Sequence, residues 1–248
     1  MSRQSTSRNL NVNASLLVLL ALVFVSSFII SVSAQPTGVD ITFNDTEFIT
    51  PDPAAELTTA GGTFTTLVLN GTFQTPRWKA YVGNVSGRLA LADSLSRTIY
   101  DWELAIVSGQ VYVSRHEEID WSTISCAVEQ SILDEQGALN IQASAVDSIN
   151  RTFNETIHRG FFVGTRQISN STCKSIATYV EDSKQAPNED ANFQEILLED
   201  NDNKLVFATI IEQGQIGYDG ALYDFQLIVP EDPTSVDPTT YYFFAEIY

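Results

Sequence analysis

Apolar or β-branched side chains alternate with polar ones along most of this chain, and that period of two predicts half-buried β-strands. The runs are 39–43, 63–73, 78–85, 88–92, 99–107 and 110–115 in the first half. Residues 84–87 and the pair Ser108-Gly109 supply turns between neighbours, so this half reads as an antiparallel meander. The period then changes. Between Asp120 and Leu133, the residues Ile124, Val128 and Ile132 recur at helical spacing, Asp120 or Ser122 can cap the start, and Gly137 follows the end. Residues 144–157 repeat that pattern more weakly. Strands return at 161–168, 175–181, 193–199, 204–212, 223–230 and 240–247, with a hairpin turn at Asp200-Asn201-Asp202-Asn203. The expected fold is mainly β: an antiparallel β-sandwich with a short α-helical insertion around residues 120–157.

One segment departs from this alternation. Arg3 and Arg8 precede an uncharged apolar run from Ala14 to Ala34, which closes on Val32-Ser33-Ala34 before Gln35. Small residues at those outer positions suit a signal peptidase, so 1–34 reads as an export signal. The run is also close to the roughly 20 residues that cross a bilayer, and an uncleaved N-terminal anchor fits it as well. Downstream, 35–62 reads as an extended N-terminal segment, linker-like around 50–62, and 63–248 as the sandwich domain. The stretch 231–240 is a loop by composition, which leaves the last aromatic strand as a separate element. So apolar a strand is an aggregation hazard as a free edge; it lies inside a sheet or pairs with a partner subunit.

Export changes the reading of the rest. Cys126 and Cys173 are the two cysteines, and an even pair in an oxidising compartment most simply forms one disulfide. It would tie the first helix to a returning strand. A nucleophilic cysteine would need His116 or His158 as its base, and no local signature supports it. Six asparagines stand in N-glycosylation sequons: Asn44, Asn70, Asn84, Asn150, Asn154 and Asn170. Sites that are used must face solvent. The formal net charge is −18, and removing Arg3 and Arg8 with the signal takes it to −20. Such a surface repels nucleic acid. Lysine is confined to positions 79, 174, 184 and 204, which with the acidity suits a salt-adapted habitat.

Catalytic motifs are missing from the sequence: there is no G-x-S-x-G elbow, no phosphate-binding glycine loop and no H-E-x-x-H. Acidic pairs for glycoside hydrolysis could come from any of 31 carboxylates, and the sequence nominates none. No enzyme activity and no organic cofactor is implied. The one ion to weigh is calcium, because Glu199, Asp200 and Asp202 place oxygen ligands in a hairpin turn that lacks the glycine and distal glutamate of an EF-hand. Aromatic residues crowd 78–121 and the C-terminus, and outward-facing ones could stack on sugars or anchor proteins.

The strings WKAYVGNVSGRLAL, TIYDWEL, GQVYVSR, WSTISCA and the terminal TTYYFFAEIY together resemble a family of exported archaeal cell-surface β-rich proteins without assigned function. The resemblance covers about 63–248 and carries over no active-site residue. It implies a secreted or envelope-attached domain, and sparse lysine, acidity and sequons are compatible with it. The function expected is that of an exported cell-envelope glycoprotein in a surface layer, filament or adhesive contact. Its partners would be other cell-surface proteins or itself, with the membrane met only through an uncleaved N-terminus. The alternative is an extracellular glycan-binding or carbohydrate-active protein.

Overall fold

The computed structural model describes residues 35–50 and 53–248. Residues 1–34, which read as an export signal, lie outside these residues. Fifteen short strands and two short helices make up the described part: β1 Thr37–Gly38, β2 Trp78–Gly83, β3 Arg88–Ala92, β4 Thr98–Glu103, β5 Gly109–Ser114, β6 Ser125–Cys126, α1 Glu129–Ala138, α2 Ile149–Thr152, β7 Phe161–Val163, β8 Arg166–Ile168, β9 Ser175–Ala177, β10 Gln194–Glu199, β11 Leu205–Ile210, β12 Gln215–Ile216, β13 Leu222–Tyr223, β14 Phe225–Pro230 and β15 Tyr242–Ile247. All pairings are antiparallel. The protein is mainly β, as its periodicity predicts.

A central sheet runs in the order β1-β15-β5-β11-β10-β6, with β9 also on β10. Its inner strands β5, β10 and β11 are buried at every position, so both faces are covered. On one face Val111, Val113, Leu197 and Phe207 pack against Ile132 of α1, Ile149 of α2, and Leu227 and Val229 of β14. On the other, Tyr112, Ile196, Leu198 and Ala208 pack against Phe161, Val163 and Ile168 of the β7–β8 hairpin. The half-buried alternation expected of these strands is therefore replaced by burial on both sides. Buried polar side chains result. Thr209 donates to the Gln226 carbonyl at 3.0 Å, and Glu195 accepts the Ile228 N–H at 2.9 Å. These two side chains satisfy one edge of β14, whose other edge pairs with β2 along six residues.

Several expected elements take another form. The first half is not a meander, because β2 pairs with β14, β3 only with β4, and β5 with β11 and β15. The helix starts at Glu129 rather than Asp120. Residues Ser125 and Cys126 instead pair with Glu199 and Leu198 at the sheet edge, and the Glu199 carboxylate accepts the Val128 N–H where the helix begins. Asp120 and Ser122 form a turn of their own, and Gly137 lies inside the helix. The second helix shrinks to four residues, since Phe153 turns into the core and Glu155 bridges to Ser175. The run 161–168 is a hairpin with its turn at Gly164-Thr165 rather than one strand. Residues 39–43 and 63–73 form no strand, and every residue from Thr37 to Thr50 and from Pro53 to Gln74 is exposed. The last strand is no separate element: β15 pairs with β5 along its whole length and with β1 at two residues.

Candidate functional site

One feature of the surface that its own chain leaves unexplained is the β3–β4 hairpin. Leu89 stands opposite Trp102 and Leu91 opposite Tyr100, which puts these four apolar side chains on one face. Ala90 and Asp101 pair on the other, where Arg88 reaches Asp101 at 2.5 Å. The hairpin is thus amphipathic. Its apolar face remains in solvent, with Leu89 46%, Leu91 58%, Tyr100 61% and Trp102 51% exposed. The two rings meet edge to face at 5.0 Å between centroids and 65° between planes. Among the described residues β3 and β4 pair with nothing else. A two-stranded hairpin is at best marginal alone in water, and packing against a third element is what normally stabilises it.

The other aromatic positions that the sequence brings forward are largely interior. Trp121 lies 5.2 Å from both Tyr112 and Phe244, Tyr81 packs edge-on to Phe243, and Trp78 packs on Phe153 while its indole N–H donates to the Asp147 carbonyl at 2.7 Å. Tyr100 and Trp102 stand apart from this core set.

Cys126 and Cys173 form a disulfide with Cα atoms 4.9 Å apart. Cys126 sits on β6, not on a helix, so the bridge joins the sheet edge to the segment after the β7–β8 hairpin. Both sulfurs are consumed, which removes a thiol nucleophile. His158 serves that same segment. Its Nδ1–H donates to the Arg159 carbonyl at 2.8 Å, leaving Nε2 to accept the N–H groups of Thr172 and Cys173 at 3.1 and 2.9 Å. Burial pushes the imidazole below its ordinary value, opposed by its bond to Arg159 and by Glu189. Nothing local in the sequence marked this residue beyond its being one of two histidines.

The carboxylates weighed for calcium have other partners. Asp200 is buried and accepts the N–H groups of Asp202 and Lys204 through one oxygen and that of Asp120 through the other. Lys204 Nζ lies 3.7 Å from Asp200 and 3.4 Å from Asp202, and Glu199 is turned to α1. Among the described residues no three His, Cys, Asp or Glu side chains are grouped to hold a metal ion.

Of the sequon asparagines, Asn44, Asn70, Asn84, Asn154 and Asn170 are exposed. Asn150 is half-buried, and its side-chain oxygen accepts the Ser148 hydroxyl at 2.9 Å.

Two cavities bear on the carbohydrate-active alternative. One, of about 260 Å³, lies between β5, β7 and the C-terminus and includes Gln110, Arg159 and Tyr248. Arg159 pairs with Glu212 at 3.0 Å. Beside it, Tyr112 donates to Gln110 at 3.2 Å, and Glu246 accepts the Gly164 N–H at 2.9 Å, with burial pushing its carboxyl up. Gly109 holds the cavity rim at φ +134°, where a Cβ would collide with the Glu246 carbonyl. Its lining holds no Asp or Glu side chain. The second, of about 340 Å³, includes Asp232 and Asp237. Hydrogen bonds from Thr234 hold Asp232 below its ordinary range, which is the wrong direction for the proton donor of a glycosidase.

Among the described residues no helix is long and apolar enough to cross a membrane. No protein-family model, curated protein or solved structure matches the chain.

Proposed function

We propose that this chain is an exported cell-envelope glycoprotein of the kind its resemblance to archaeal surface proteins implies, with an interaction role exercised through the β3–β4 hairpin. The observation that carries the reading is the unpartnered face of Leu89, Leu91, Tyr100 and Trp102. In a chain of net charge −18, an uncovered apolar face with an aromatic pair at its centre suits a protein contact better than free solvent. The disulfide supports an oxidising destination, and five exposed sequon asparagines leave room for glycans. The rings of Tyr100 and Trp102 are steeply inclined to one another and offer no flat platform for a sugar, which favours a protein partner over a glycan.

The test is fractionation of the producing cells with intact-mass analysis, repeated for a Tyr100→Ala, Trp102→Ala variant. The expected result is a glycosylated protein held in the envelope fraction, and a variant that melts at the same temperature but escapes into the medium. A cytosolic protein of unmodified mass, or envelope retention untouched by the variant, overturns the reading.

A further inference from the structure

The six sequons are not equivalent once the chain is folded. N-linked transfer needs the Asn Nδ2 as nucleophile and the Ser or Thr hydroxyl two residues on, presented together on backbone that a transferase can draw into its own groove. The Nδ2 attacks the anomeric carbon of a sugar activated on a phosphate carrier. A C–N bond forms, the C–O bond to the carrier breaks, the carrier leaves as its phosphate, and the Nδ2 proton passes to a base of the transferase. A sequon whose backbone and two reacting groups are already bonded within the fold is withheld from that step.

Two sequons are open. Asn44, Asp45 and Thr46, like Asn70, Gly71 and Thr72, are exposed at every residue and belong to no strand or helix. Among the described residues no hydrogen bond holds the carboxamide of Asn44 or Asn70, or the hydroxyl of Thr46 or Thr72. Asn170 is the opposite case. Its Nδ2 donates to Glu189 at 2.9 Å, and the Thr172 hydroxyl donates to the Ser169 carbonyl at 2.8 Å. The Ser171 N–H donates to the His158 carbonyl at 3.0 Å, those of Thr172 and Cys173 go to His158 Nε2, and Ser171 takes a φ of +54°. The residue after this sequon is Cys173, whose disulfide ties the turn to the sheet edge. Nucleophile, hydroxyl and backbone are all engaged. Asn150 is half-buried within α2, with its N–H on Gln136 at 2.9 Å and its side-chain oxygen on the Ser148 hydroxyl. In the sequons of Asn84 and Asn154 the middle residue is fixed: the Val85 N–H donates to Asp224 at 2.8 Å, and Glu155 bridges to Ser175.

We infer that glycans are attached at Asn44 and Asn70, that the closed fold withholds Asn84, Asn150, Asn154 and Asn170, and that the Cys126–Cys173 bridge is the lock on Asn170. Disulfide closure and glycan transfer act on the same exported chain, so at residues 170–173 they compete. Closure comes first, and the acceptor is removed. The carbohydrate is thereby concentrated on the exposed stretch 39–74 between β1 and β2, and the strands and helices that follow stay bare.

This inference rests on the glycoprotein reading above and assigns its sites. The test is glycopeptide mapping by mass spectrometry on the full chain recovered from its producing cells, as wild type, as an Asn44→Gln, Asn70→Gln variant and as a Cys126→Ser, Cys173→Ser variant. The expected wild type shows a glycan mass shift on the peptides carrying Asn44 and Asn70 and none on those carrying the other four sequons. The asparagine variant, changed only at exposed positions, should lose the whole glycan mass at an unchanged melting temperature. The cysteine variant should gain a glycan at Asn170 and leave Asn150 bare, since α2 does not depend on the bridge. Glycan remaining on the asparagine variant, or Asn170 modified in the wild type as fully as Asn44, overturns the inference and keeps the glycoprotein. An Asn170 still bare without the bridge, or a gain at all four closed sequons together, overturns the bridge as the lock. A chain of unmodified mass removes the glycoprotein reading itself.

Discussion

Glu195→Gln should make the protein more stable than the wild type at neutral pH and leave it nearly unchanged at pH 4. Glu195 lies on β10 beneath β14, fully buried, with Oε2 accepting the Ile228 N–H at 2.9 Å and Oε1 without a partner. Burial drives its carboxyl well above the ordinary range, and the single backbone hydrogen bond opposes this only in part. The fold therefore favours the neutral acid form of Glu195 over the ionised one. In the unfolded chain the same group ionises near pH 4.3. Its contribution to stability is thus fully present below the unfolded value and is lost as pH rises toward and through the folded one. For as long as the folded carboxyl stays protonated, the loss is about 1.4 kcal/mol per pH unit. Glutamine keeps the shape and an acceptor for Ile228 but cannot ionise. The difference in unfolding free energy between variant and wild type should climb by that slope in urea titrations run from pH 4.5 to 7.5. Taking the difference cancels the other raised carboxyls, Glu212 and Glu246. Parallel curves for the two proteins would refute the assignment of a neutral buried acid.

Two further outcomes follow from the segment around Cys173. Cys126→Ser with Cys173→Ser opens a loop of 47 residues' separation and should cost about 4 kcal/mol in the chain-entropy account, read in calorimetry as a melting point lower by about 10 °C. An unchanged melting point would mean that the bridge constrains nothing. His158 is held neutral in the fold, so its contribution is present above the unfolded value near 6.5 and is lost as pH falls through the depressed folded value. Protonation puts a hydrogen on Nε2 where two N–H donors already point. Protection of the Thr172 and Cys173 amides from hydrogen exchange should therefore drop between pH 7 and pH 5 relative to the central strands; equal protection at both would contradict the role of the neutral His158 as their acceptor.

What could be read from the chain, and what could not, divides along the range of the interactions. The β10–β11 hairpin was legible because Asp200 to Asn203 is a turn between two apolar runs, and Asp200 does close that turn through its own side chain. The disulfide was legible from an even pair of cysteines in a chain whose first residues read as an export signal. The helical spacing of Ile124, Val128 and Ile132 misled, because Ile124 belongs to one face of the sheet and Ile132 to the other, on either side of the edge strand Ser125–Cys126. Pairing with β10 outweighed local period there. Glu195 left only one trace, a carboxylate inside the apolar run QEILLE, since its burial depends on β14 crossing from a position some thirty residues away.

The alternation at 63–73 and at 88–92 is of the same quality as that in β5, yet β5 is wholly buried and the other two are wholly exposed. Period two records that a segment can present an apolar face to a neighbour; it does not record which molecule supplies the neighbour. Where a strand pattern meets no cover in its own fold, the missing surface must come from elsewhere or the pattern is wasted. Residues 39–43, residues 63–73 and the β3–β4 hairpin each carry the pattern without that cover among the described residues. That mismatch between local pattern and observed burial, rather than any single residue, is what directs the search for a partner to residues 63–103.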